Sequence, residues 1–286
     1  MIFIVIPSFN EKNFIIPLID NLLKQSYQEF KIIISDNGSI DGTQEKIKIS
    51  YPNIKLIENS NDFWWTKSIN EGVNYAIKNS KSTNDYILTL NCDLSVKYDY
   101  LETLIKCSKN HARSIIGSLS VNISNNKITF GGLKINPLNA KYTRLNHNKE
   151  MNELTNNIHT DALPGRGTLI PINLFKVIGK FDNMLPHYGA DYEFSMRAKK
   201  SKYDLIISHK SVVYSFVENT GLNNENKKLP WLKFLKTFFS IKSPSNLFRR
   251  TIYIYKSFPK KYFIIHLLFD FSRVIIGTLR NQFQNK

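Results

Sequence analysis

The sequence predicts an α/β fold with a mainly parallel central sheet, followed by a basic helical segment. Strand-like and helix-like hydrophobic patterns alternate through roughly the first hundred residues, which favours parallel strands joined by right-handed crossovers. Several strand-like runs end in acidic residues, and most of the basic excess lies after residue 226. At 286 residues and 42% hydrophobic content, the chain is long enough for one large packed domain and an appendage.

Hydrophobic periodicity gives the elements of the first half in order. The predicted strands are 2–7, 30–35, 54–57 and 86–90, and the predicted helices are 13–25, 43–49 and 68–78. Residues 96–158 are less regular, with a predicted helix at 100–109 and predicted strands at 115–121 and 127–135. We therefore divide the chain into a first half at 1–95, a second half at 96–220 and a helical tail at 221–286.

The start of the chain and its cysteine content bear on the cellular compartment. The apolar run 2–6 lacks a basic leader and ends at Pro7, so we expect a buried strand and no secretory signal. The two cysteines, Cys92 and Cys107, are too few for a disulfide framework. We therefore expect buried thiols in a cytoplasmic protein.

A turn rich in small and acidic residues, DNGSIDGT at 36–43, follows the second predicted strand. Asp36 ends that strand, where open α/β folds hold their ligands, and its carboxylate can accept the imide N–H of uracil or thymine. The glycines and the following helix start can face phosphate oxygens. An ordinary β–α turn, with Asp41 or Thr43 capping the helix, explains the same residues. Neither a dinucleotide fingerprint nor a P-loop pattern occurs here.

Two further acids stand at positions suited to chemistry. Asp93 closes the run YILTLNCD at 86–93, and Asp191 precedes a predicted helix at 192–199. One carboxylate can hold a divalent metal ion, and the other can act as a general base. A solvated strand end and a helix N-cap are the structural explanations for the same two residues. Together the acids predict chemistry on a metal-bound phosphate substrate.

Four motifs, in this order along the chain, resemble those of family 2 glycosyltransferases with the GT-A fold. They are IPSFNE at 6–11, DNGSIDGT at 36–43, LNCD at 90–93 and GADYEFSMRA at 189–198. The resemblance implies a Rossmann-like nucleotide-sugar-binding half at 1–95 and an acceptor-binding, catalytic half at 96–220. It also implies an inverting enzyme that uses Mg²⁺ or Mn²⁺ and moves a sugar from a nucleotide diphosphate donor to an acceptor hydroxyl.

The resemblance assigns roles to individual acids. Asp36 matches the carboxylate that reads the nucleobase, Asp93 the second acid of the Asp-x-Asp metal motif, and Asp191 the catalytic base. Asn91 replaces the first acid of that motif, so the diphosphate must supply much of the metal coordination. Relatives carry an acid directly before the base, where this chain has alanine. A carboxylate that raises the pKa of the base would therefore have to be Glu193.

Aromatic residues and an arginine complete the expected site. Trp64 and Trp65 adjoin in a loop, which leaves one ring available to a sugar unless both pack in hydrophobic clusters. Arg166, between two glycines, can reach a diphosphate or an acceptor's negative charge, or lie exposed in a turn. The expected donor-binding residues are Pro7, Ser8, Asn10, Glu11, Asp36, Gly38, Trp65, Asn91, Cys92, Asp93 and Arg166, with Asp93 also the metal ligand. The expected acceptor-binding residues are Trp64, Tyr188 and Glu193.

The tail is both basic and apolar. Residues 227–286 carry 13 Lys and Arg against one acid, which is +12 of the chain's net +16. Of two apolar runs, 229–241 and 262–279, the second holds Asp270 and Arg273, which oppose a membrane span by about 2.5 to 3.5 kcal/mol each. We therefore expect interfacial helices on the anionic inner face of the cell membrane. Packing on the catalytic domain, or on a second subunit of a homodimer, is the alternative.

The predicted function is sugar transfer from a UDP or dTDP donor to a glycan acceptor. A lipid-linked glycan of surface polysaccharide synthesis is expected by family analogy. A sugar-nucleotide nucleotidyltransferase would share the α/β site but should begin with Gly-x-Gly-x-x-x-Arg, where this chain has PSFN at 7–10. A nucleic-acid-binding protein would carry its charge as a phosphate-binding stripe, whereas here the basic residues are interleaved with Phe, Leu and Ile. We therefore expect no nucleic-acid partner.

Overall fold

The computed structural model describes residues 1–216 and 230–284. Within these ranges the chain forms one ten-stranded sheet, one two-stranded sheet and helices packed on both faces of the larger sheet. The strands are β1 Ile2–Ser8, β2 Phe30–Asp36, β3 Lys55–Glu58, β4 Tyr86–Thr89, β5 Leu94–Val96, β6 Ser114–Asn122, β7 Ile128–Phe130, β8 Leu133–Asn136, β9 Lys141–Arg144, β10 Ile158–His159, β11 Thr168–Pro171 and β12 Asp204–Ser215. The helices are α1 Lys12–Leu23, α2 Thr43–Ser50, α3 Trp65–Asn79, α4 Tyr100–Asn110, α5 Ile172–Ile178, α6 Ala190–Lys200, α7 Trp231–Thr237, α8 Leu247–Ser257 and α9 Phe263–Gln284.

The strand order creates a topological switch point at β1. The order is β10-β12-β6-β11-β4-β1-β2-β3, so the chain leaves β1 toward β2 and β3 and then returns to its other side as β4. These four strands are parallel, with Ser8 opposite Asp36 and Val5 opposite Thr89. Their carboxyl ends therefore share one edge of the sheet, and ligands of open α/β sheets bind at such points.

The second half of the sheet is mixed. β11 lies antiparallel between β4 and β6, while β6 and β12 form a parallel pair. β5 and β10 pair antiparallel with β12, and β7 pairs antiparallel with β6. This arrangement carries the segments before β11 and before α6 to the same sheet edge as the first four strands.

The central strand is buried on both faces, which explains its unbroken apolar sequence. Ile2, Ile4 and Ile6 belong to the core layer that includes α1 and α4, whereas Phe3 and Val5 belong to the layer that includes α3 and α6. All five side chains are fully buried. The first strand is thus a rigid support for the loop that follows it.

The expected mainly parallel α/β sheet is confirmed, and the bounds of its elements differ from the sequence-based ones by a few residues. The expected strand at 127–135 is instead two strands. The chain bends at Gly132, whose φ of +113° is readily adopted only by glycine. β7 pairs with β6, whereas β8 forms a separate hairpin with β9.

Hydrophobic periodicity missed α8, which joins the tail to the rest of the protein. Its residues Ile252, Tyr253 and Ile254, and Phe258 just after it, belong to the same core layer as α3 and α6. From α8 onward, the described tail therefore packs on the α/β domain. The domain boundary expected at 220 and the first residue of the run 229–241 lie outside the described residues.

A bidentate ion pair fastens α8 to α9. The Arg250 guanidinium donates from Nε to Asp270 Oδ2 at 2.6 Å and from Nη2 to Oδ1 at 2.5 Å. Asp270 is 2% exposed and Arg250 27% exposed. The charge of Asp270, which opposes a membrane span in the sequence, is therefore paired inside the protein.

Breaking this pair should weaken the fold. Asp270→Asn leaves the Arg250 guanidinium partly buried without its counter-charge, and we expect a loss of about 3 kcal/mol in the free energy of unfolding. Chemical unfolding followed by circular dichroism measures it. The matched control is Glu58→Gln, because the Lys48–Glu58 pair is about half exposed on both sides and should contribute at most about 1 kcal/mol. Equal losses in the two variants would contradict a structural role for the α8–α9 pair.

Candidate active site

The loops after β1 and β2 are tied together at the carboxyl edge of the sheet. The Asn10 backbone N–H donates to Ser39 Oγ at 2.7 Å, and the Ile40 N–H donates to Asn10 Oδ1 at 2.9 Å. The Lys12 N–H donates to Asp41 Oδ2 at 3.0 Å. Asn10 has a φ of +56°, a conformation that asparagine tolerates better than most residues. Asn10 therefore acts in the structure as a link between the two loops.

Asp36, the last residue of β2, is fully buried and accepts hydrogen bonds from the loop that follows it. Its Oδ1 accepts hydrogen bonds from the Ser39 N–H at 2.8 Å and from Gln44 Nε2 at 2.6 Å, and its Oδ2 accepts one from Ser39 Oγ at 2.6 Å. The turn between them uses Gly38 at a φ of +75°. Asp41 in turn accepts the Thr43 N–H at 3.1 Å near the start of α2. Hydrogen bonds accepted by Asp36 and Asp41 thus fix the conformation of this loop.

Ser8 and Cys92 were expected among the donor-binding side chains, but both side chains face inward. Ser8 is 3% exposed and Cys92 is 5% exposed. The Cys92 thiol donates to the Pro7 carbonyl oxygen at 3.1 Å, and burial raises its pKa well above the ordinary value for a thiol. Both cysteines are free thiols, and both are buried. Cys92 therefore joins the ends of β1 and β4 and is not an exposed nucleophile.

Trp65, at the start of α3, packs between two of the expected motifs. Its indole Nε1–H donates to Asn91 Oδ1 at 3.3 Å. A Cβ atom on Gly165 would lie 2.1 Å from the Trp65 ring, so only glycine fits beside it. The Asn91 side chain is thus oriented by tryptophan, and Asp93 is the acid of the LNCD motif.

Asp93 lies among charged groups from two other loops. Burial raises its pKa, and the Arg166 guanidinium partly opposes that rise. The pKa of Glu11 is also raised, first by burial and then by the charges of Asp93 and Asp41. A bound cation would relieve the repulsion that the Asp93 charge exerts on the Glu11 carboxylate.

A complete metal cage is absent from this site. No group of three or more His, Cys, Asp or Glu side chains with metal-binding geometry occurs within residues 1–216 and 230–284. Asp93 with nearby Glu11 suits a hard cation that takes its other ligands from phosphate and water. The residues present therefore fit Mg²⁺ or Mn²⁺ held jointly with a diphosphate.

Asp191 lies in the first turn of α6, which begins after Gly189 in a left-handed conformation. Its Oδ2 accepts the Gly165 N–H at 2.9 Å, and its Oδ1 accepts the Tyr192 N–H at 2.9 Å. Burial raises its pKa, while these two hydrogen bonds and the more distant Arg166 charge lower it. The carboxylate is therefore oriented by backbone and ready to accept a proton.

Glu193 does not join Asp191. Residues two apart on a helix do not face each other, and Glu193 is 2% exposed on the other side of α6. Its Oε1 accepts from Arg197 Nε at 2.7 Å, and Arg197 Nη2 donates to its Oε2 at 2.8 Å. Burial is the largest cause of the raised pKa of Asp191, and Glu193 is not among its causes. Glu193, the carboxylate that could have raised the pKa of Asp191, therefore points away from it and is paired with Arg197 instead.

The other two expected acceptor residues lie together in an aromatic cluster before α6. The rings of Trp64 and Tyr188 lie 5.6 Å and 4.4 Å from the ring of His187, both edge-on. Burial lowers the pKa of His187. Lys242, from the tail, lies 5.8 Å from the Trp64 ring centre. Neither His187 nor Lys242 was expected from the sequence. His187 adjoins Tyr188 in the chain and could have been found from it, whereas nothing in the sequence links Lys242 to Trp64.

Comparison with known proteins gives the same family along most of the fold. The family model described as glycosyl transferase family 2 matches residues 3–170, which is more than half of the chain. An uncharacterized glycosyltransferase of Rickettsia bellii (strain RML369-C) is 27% identical over 251 residues, covering 82% of this chain and 33% of that protein. One from Rickettsia felis is 26% identical over 250 residues, covering 82% of this chain and 38% of that protein. The chain thus spans little more than a third of the length of these relatives.

Solved structures share the fold at low sequence identity. GalNAc-T7, solved with UDP, GalNAc and Mn²⁺, has a TM-score of 0.61 at 14% sequence identity. The alignment covers 99% of this chain and 58% of the GalNAc-T7 chain. The mannosyltransferase PcManGT of Pyrobaculum calidifontis, solved with GDP-Man and Mn²⁺, has a TM-score of 0.59 at 14% identity, covering 98% and 71%. S. aureus TarS 1–349 has a TM-score of 0.54 at 14% identity, covering 99% and 80%. These likenesses establish a GT-A fold, and with the family match they show that the chain belongs to glycosyltransferase family 2.

Proposed function

We propose that this protein transfers a sugar from a nucleotide diphosphate donor to a hydroxyl group of a glycan acceptor, with inversion at the anomeric carbon. Membership of glycosyltransferase family 2 supports the reaction class. The observation that carries the proposal is that the motifs of Asp93 and Asp191, from different halves of the chain, meet at Gly165. The Gly165 N–H donates to Asp191 Oδ2 at 2.9 Å, and Gly165 packs on the Trp65 ring, whose indole donates to Asn91. In this proposal, residues 1–95 bind the donor, and residues 96–220 bind the acceptor and supply the base.

The donor is a pyrimidine nucleotide sugar with UDP or dTDP as its carrier. Asp36 is covered by the Gln44 amide, so reading the base requires the imide N–H to replace the Gln44 Nε2 bond to Oδ1. Arg166 stabilises the negative charge of the diphosphate. Two of the structural neighbours were solved with UDP and with GDP-Man, which supports a nucleotide sugar without deciding the base.

Asp93, with Glu11 nearby, would hold a divalent cation, Mg²⁺ or Mn²⁺, at the diphosphate. Mn²⁺ is present in two of the structural neighbours, and the acid pair of Asp93 and Glu11 suits such a cation. When bound, the cation neutralises charge on the leaving diphosphate. Asn91 accepts a hydrogen bond from Trp65 and carries no charge. The protein therefore offers few charged metal ligands, and the diphosphate would supply the rest.

Asp191 is the general base of a single displacement. Each of its oxygens accepts one backbone N–H, which fixes the carboxylate while leaving lone pairs for an acceptor hydroxyl. Asp191 takes the hydroxyl proton as the acceptor oxygen bonds to the anomeric carbon and the bond from that carbon to the diphosphate breaks. Its raised pKa increases its basicity toward that proton.

The acceptor is a glycan, lipid-linked and built into surface polysaccharide, on the cytoplasmic face of the cell membrane. Trp64 and Tyr188 are the rings that contact its sugars. Trp64 precedes α3 and Tyr188 precedes α6, and the position of both rings against His187 supports this role. Glu193 is bound to Arg197 and takes no part. The basic, apolar tail supports the membrane location.

Removing the base should abolish most turnover. Asp191→Asn keeps the size of the side chain but cannot accept the proton, so kcat should fall about 10²- to 10⁴-fold. Nucleotide release from a panel of UDP- and dTDP-sugars, with water as acceptor, measures this. The control is Asp204→Asn, an exposed aspartate at the start of β12. Full turnover by the Asp191 variant would exclude Asp191 as the base.

The same base predicts the pH profile of the wild-type enzyme. Because burial raises the pKa of Asp191, kcat/KM should fall as the pH drops through a value above the ordinary aspartate pKa of about 3.9. The ionised form is active, so activity is present above this pKa and lost below it. A pH profile from about pH 4 to 8 measures the limb. An acid limb at or below the ordinary value would contradict a desolvated base.

Metal dependence should follow Asp93. A chelator should stop nucleotide release, and Mn²⁺ or Mg²⁺ should restore it. Asp93→Asn removes the charged ligand, so the metal concentration for half-maximal turnover should rise at least about tenfold. Asp204→Asn serves again as the control and should titrate like wild type. Metal-independent turnover by wild type would refute this assignment.

A further inference from the structure

The last helix, α9, has its polar stripe turned inward. A surface helix of a soluble protein normally packs its apolar stripe on the core. In α9 the residues four apart that face the domain are His266, Asp270, Thr278 and, at the end, Gln282, with Val274 between them; His266, Asp270 and Gln282 are buried. The polar stripe of α9 therefore packs on the protein, whereas in an ordinary surface helix it faces the solvent.

Polar contacts hold α9 to α8, to the segment before α8 and to the loop at 137–140 of the domain. His266 Nδ1 lies 2.9 Å from the Pro137 carbonyl oxygen, and Asp270 is paired with Arg250. Thr278 Oγ1 lies 3.2 Å from Ser245 Oγ. Arg273 donates to the Asn139 carbonyl oxygen at 3.0 Å and also to that of Ala140. The acid and the central base of α9 are thus satisfied by the protein.

The outer face of α9 is apolar over most of its length. Ile264, Ile265, Leu268, Phe269, Ile276 and Phe283 are each between 44% and 67% exposed. The helix segment Lys260–Phe283 is long and apolar enough to cross a membrane, with a mean hydropathy of 1.5, and only 11% of its most apolar window is buried. Contiguous exposed apolar surface of this kind marks a partner or a membrane.

We propose that the outer face of α9 lies flat in the surface of an anionic phospholipid bilayer while its polar stripe stays docked on the catalytic domain. Charge supports this occupant: Lys260 and Lys261 flank the apolar face at one end and Arg280 at the other, within a tail of net +12. Basic residues beside an apolar helix face attract anionic headgroups. Two copies of α9 packed face to face would instead bring these basic flanks together.

The contacts of the inward polar stripe favour α9 lying in the plane of the membrane over α9 spanning it. At 22 residues α9 is about 33 Å long, enough to cross a bilayer. Crossing would take Asp270 away from Arg250 and Arg273 from the carbonyls at 139 and 140, leaving these charges unpaired in lipid. In the plane of the membrane, every one of those contacts is kept.

The helix α8, which is joined to α9, also holds the segment that precedes Asp191. Arg249 on α8 donates to the Met184 carbonyl oxygen at 2.7 Å, and the Tyr253 ring packs against Gly189, two residues before Asp191. Lipid contact through α9 therefore keeps the aromatic cluster near the membrane. This consequence rests on the proposed lipid-linked acceptor, but the docking surface does not, and its test needs no activity.

Vesicle flotation of the full chain tests the surface. Wild type should float with vesicles of phosphatidylcholine and phosphatidylglycerol in equal parts, should release as salt is raised, and should stay unbound with phosphatidylcholine alone. The double variant Leu268→Glu with Ile276→Glu should lower the vesicle partition coefficient about a hundredfold. The matched control is Val177→Glu on α5, because Val177 is as exposed as Ile276, at 64%.

Each outcome decides the proposal. Loss of flotation in the double variant alone, with nucleotide release from donors unchanged, supports it. It is overturned if wild type fails to float, if it binds neutral and anionic vesicles alike, or if the double variant floats like wild type. It is equally overturned if sedimentation velocity shows that the wild type is a dimer and the double variant a monomer. It is also overturned if the wild type is soluble only in detergent, as expected of a membrane-spanning helix. The wild-type lipid and salt dependence decides the matter even if the variant fails to fold.

Discussion

The candidate site depends on the loop at 165–167, whose Arg166 charge acts on two desolvated acids. Burial raises the pKa of Asp93 and of Asp191, and the positive charge of Arg166 lowers both. Without that charge, a diphosphate would enter a pocket whose own carboxylates repel it. Arg166 can lie there because glycines flank it: Gly165 fits against the Trp65 ring, and Gly167 has a φ of +75°. The electrostatics of the site therefore follow from the shape of one short loop.

The same loop joins the two halves of the protein. The Gly165 N–H orients Asp191, while Gly165 packs on Trp65, whose indole holds Asn91 beside Asp93. Asp191 from the second half and the LNCD motif from the first, proposed to supply the base and the metal ligand, are thus linked through contacts of a single glycine. The parallel ends of β1 and β4 supply the fixed edge on which these groups meet. From the tail, α8 holds the segment that leads into Asp191, because Arg249 donates to the Met184 carbonyl oxygen and the Tyr253 ring packs against Gly189.

Sequence patterns predicted the elements whose period is regular and whose neighbours are close in the chain. The first four strands and their helices have strong periodicity, and the ends of parallel strands must share an edge, so Asp36 and Asp93 could be placed. The split of 127–135 depended on a bend at Gly132, and the direction of Glu193 on its pairing with Arg197, which only three-dimensional contacts show. The inward polar stripe of α9 was hidden for the same reason, because composition shows that a helix is amphipathic but not which face meets the domain.

Asp93, Arg166 and Asp191 are proposed to form one active site, and a crystal structure with UDP and Mn²⁺ would show whether they do. We expect the diphosphate between Asp93 and Arg166, the cation on Asp93, and open space for a sugar on the Asp191 side. Gln44 should have moved from Asp36 to admit the uracil ring. A nucleotide bound away from the carboxyl ends of β1 and β4, or a diphosphate out of reach of both Asp93 and Arg166, would contradict it.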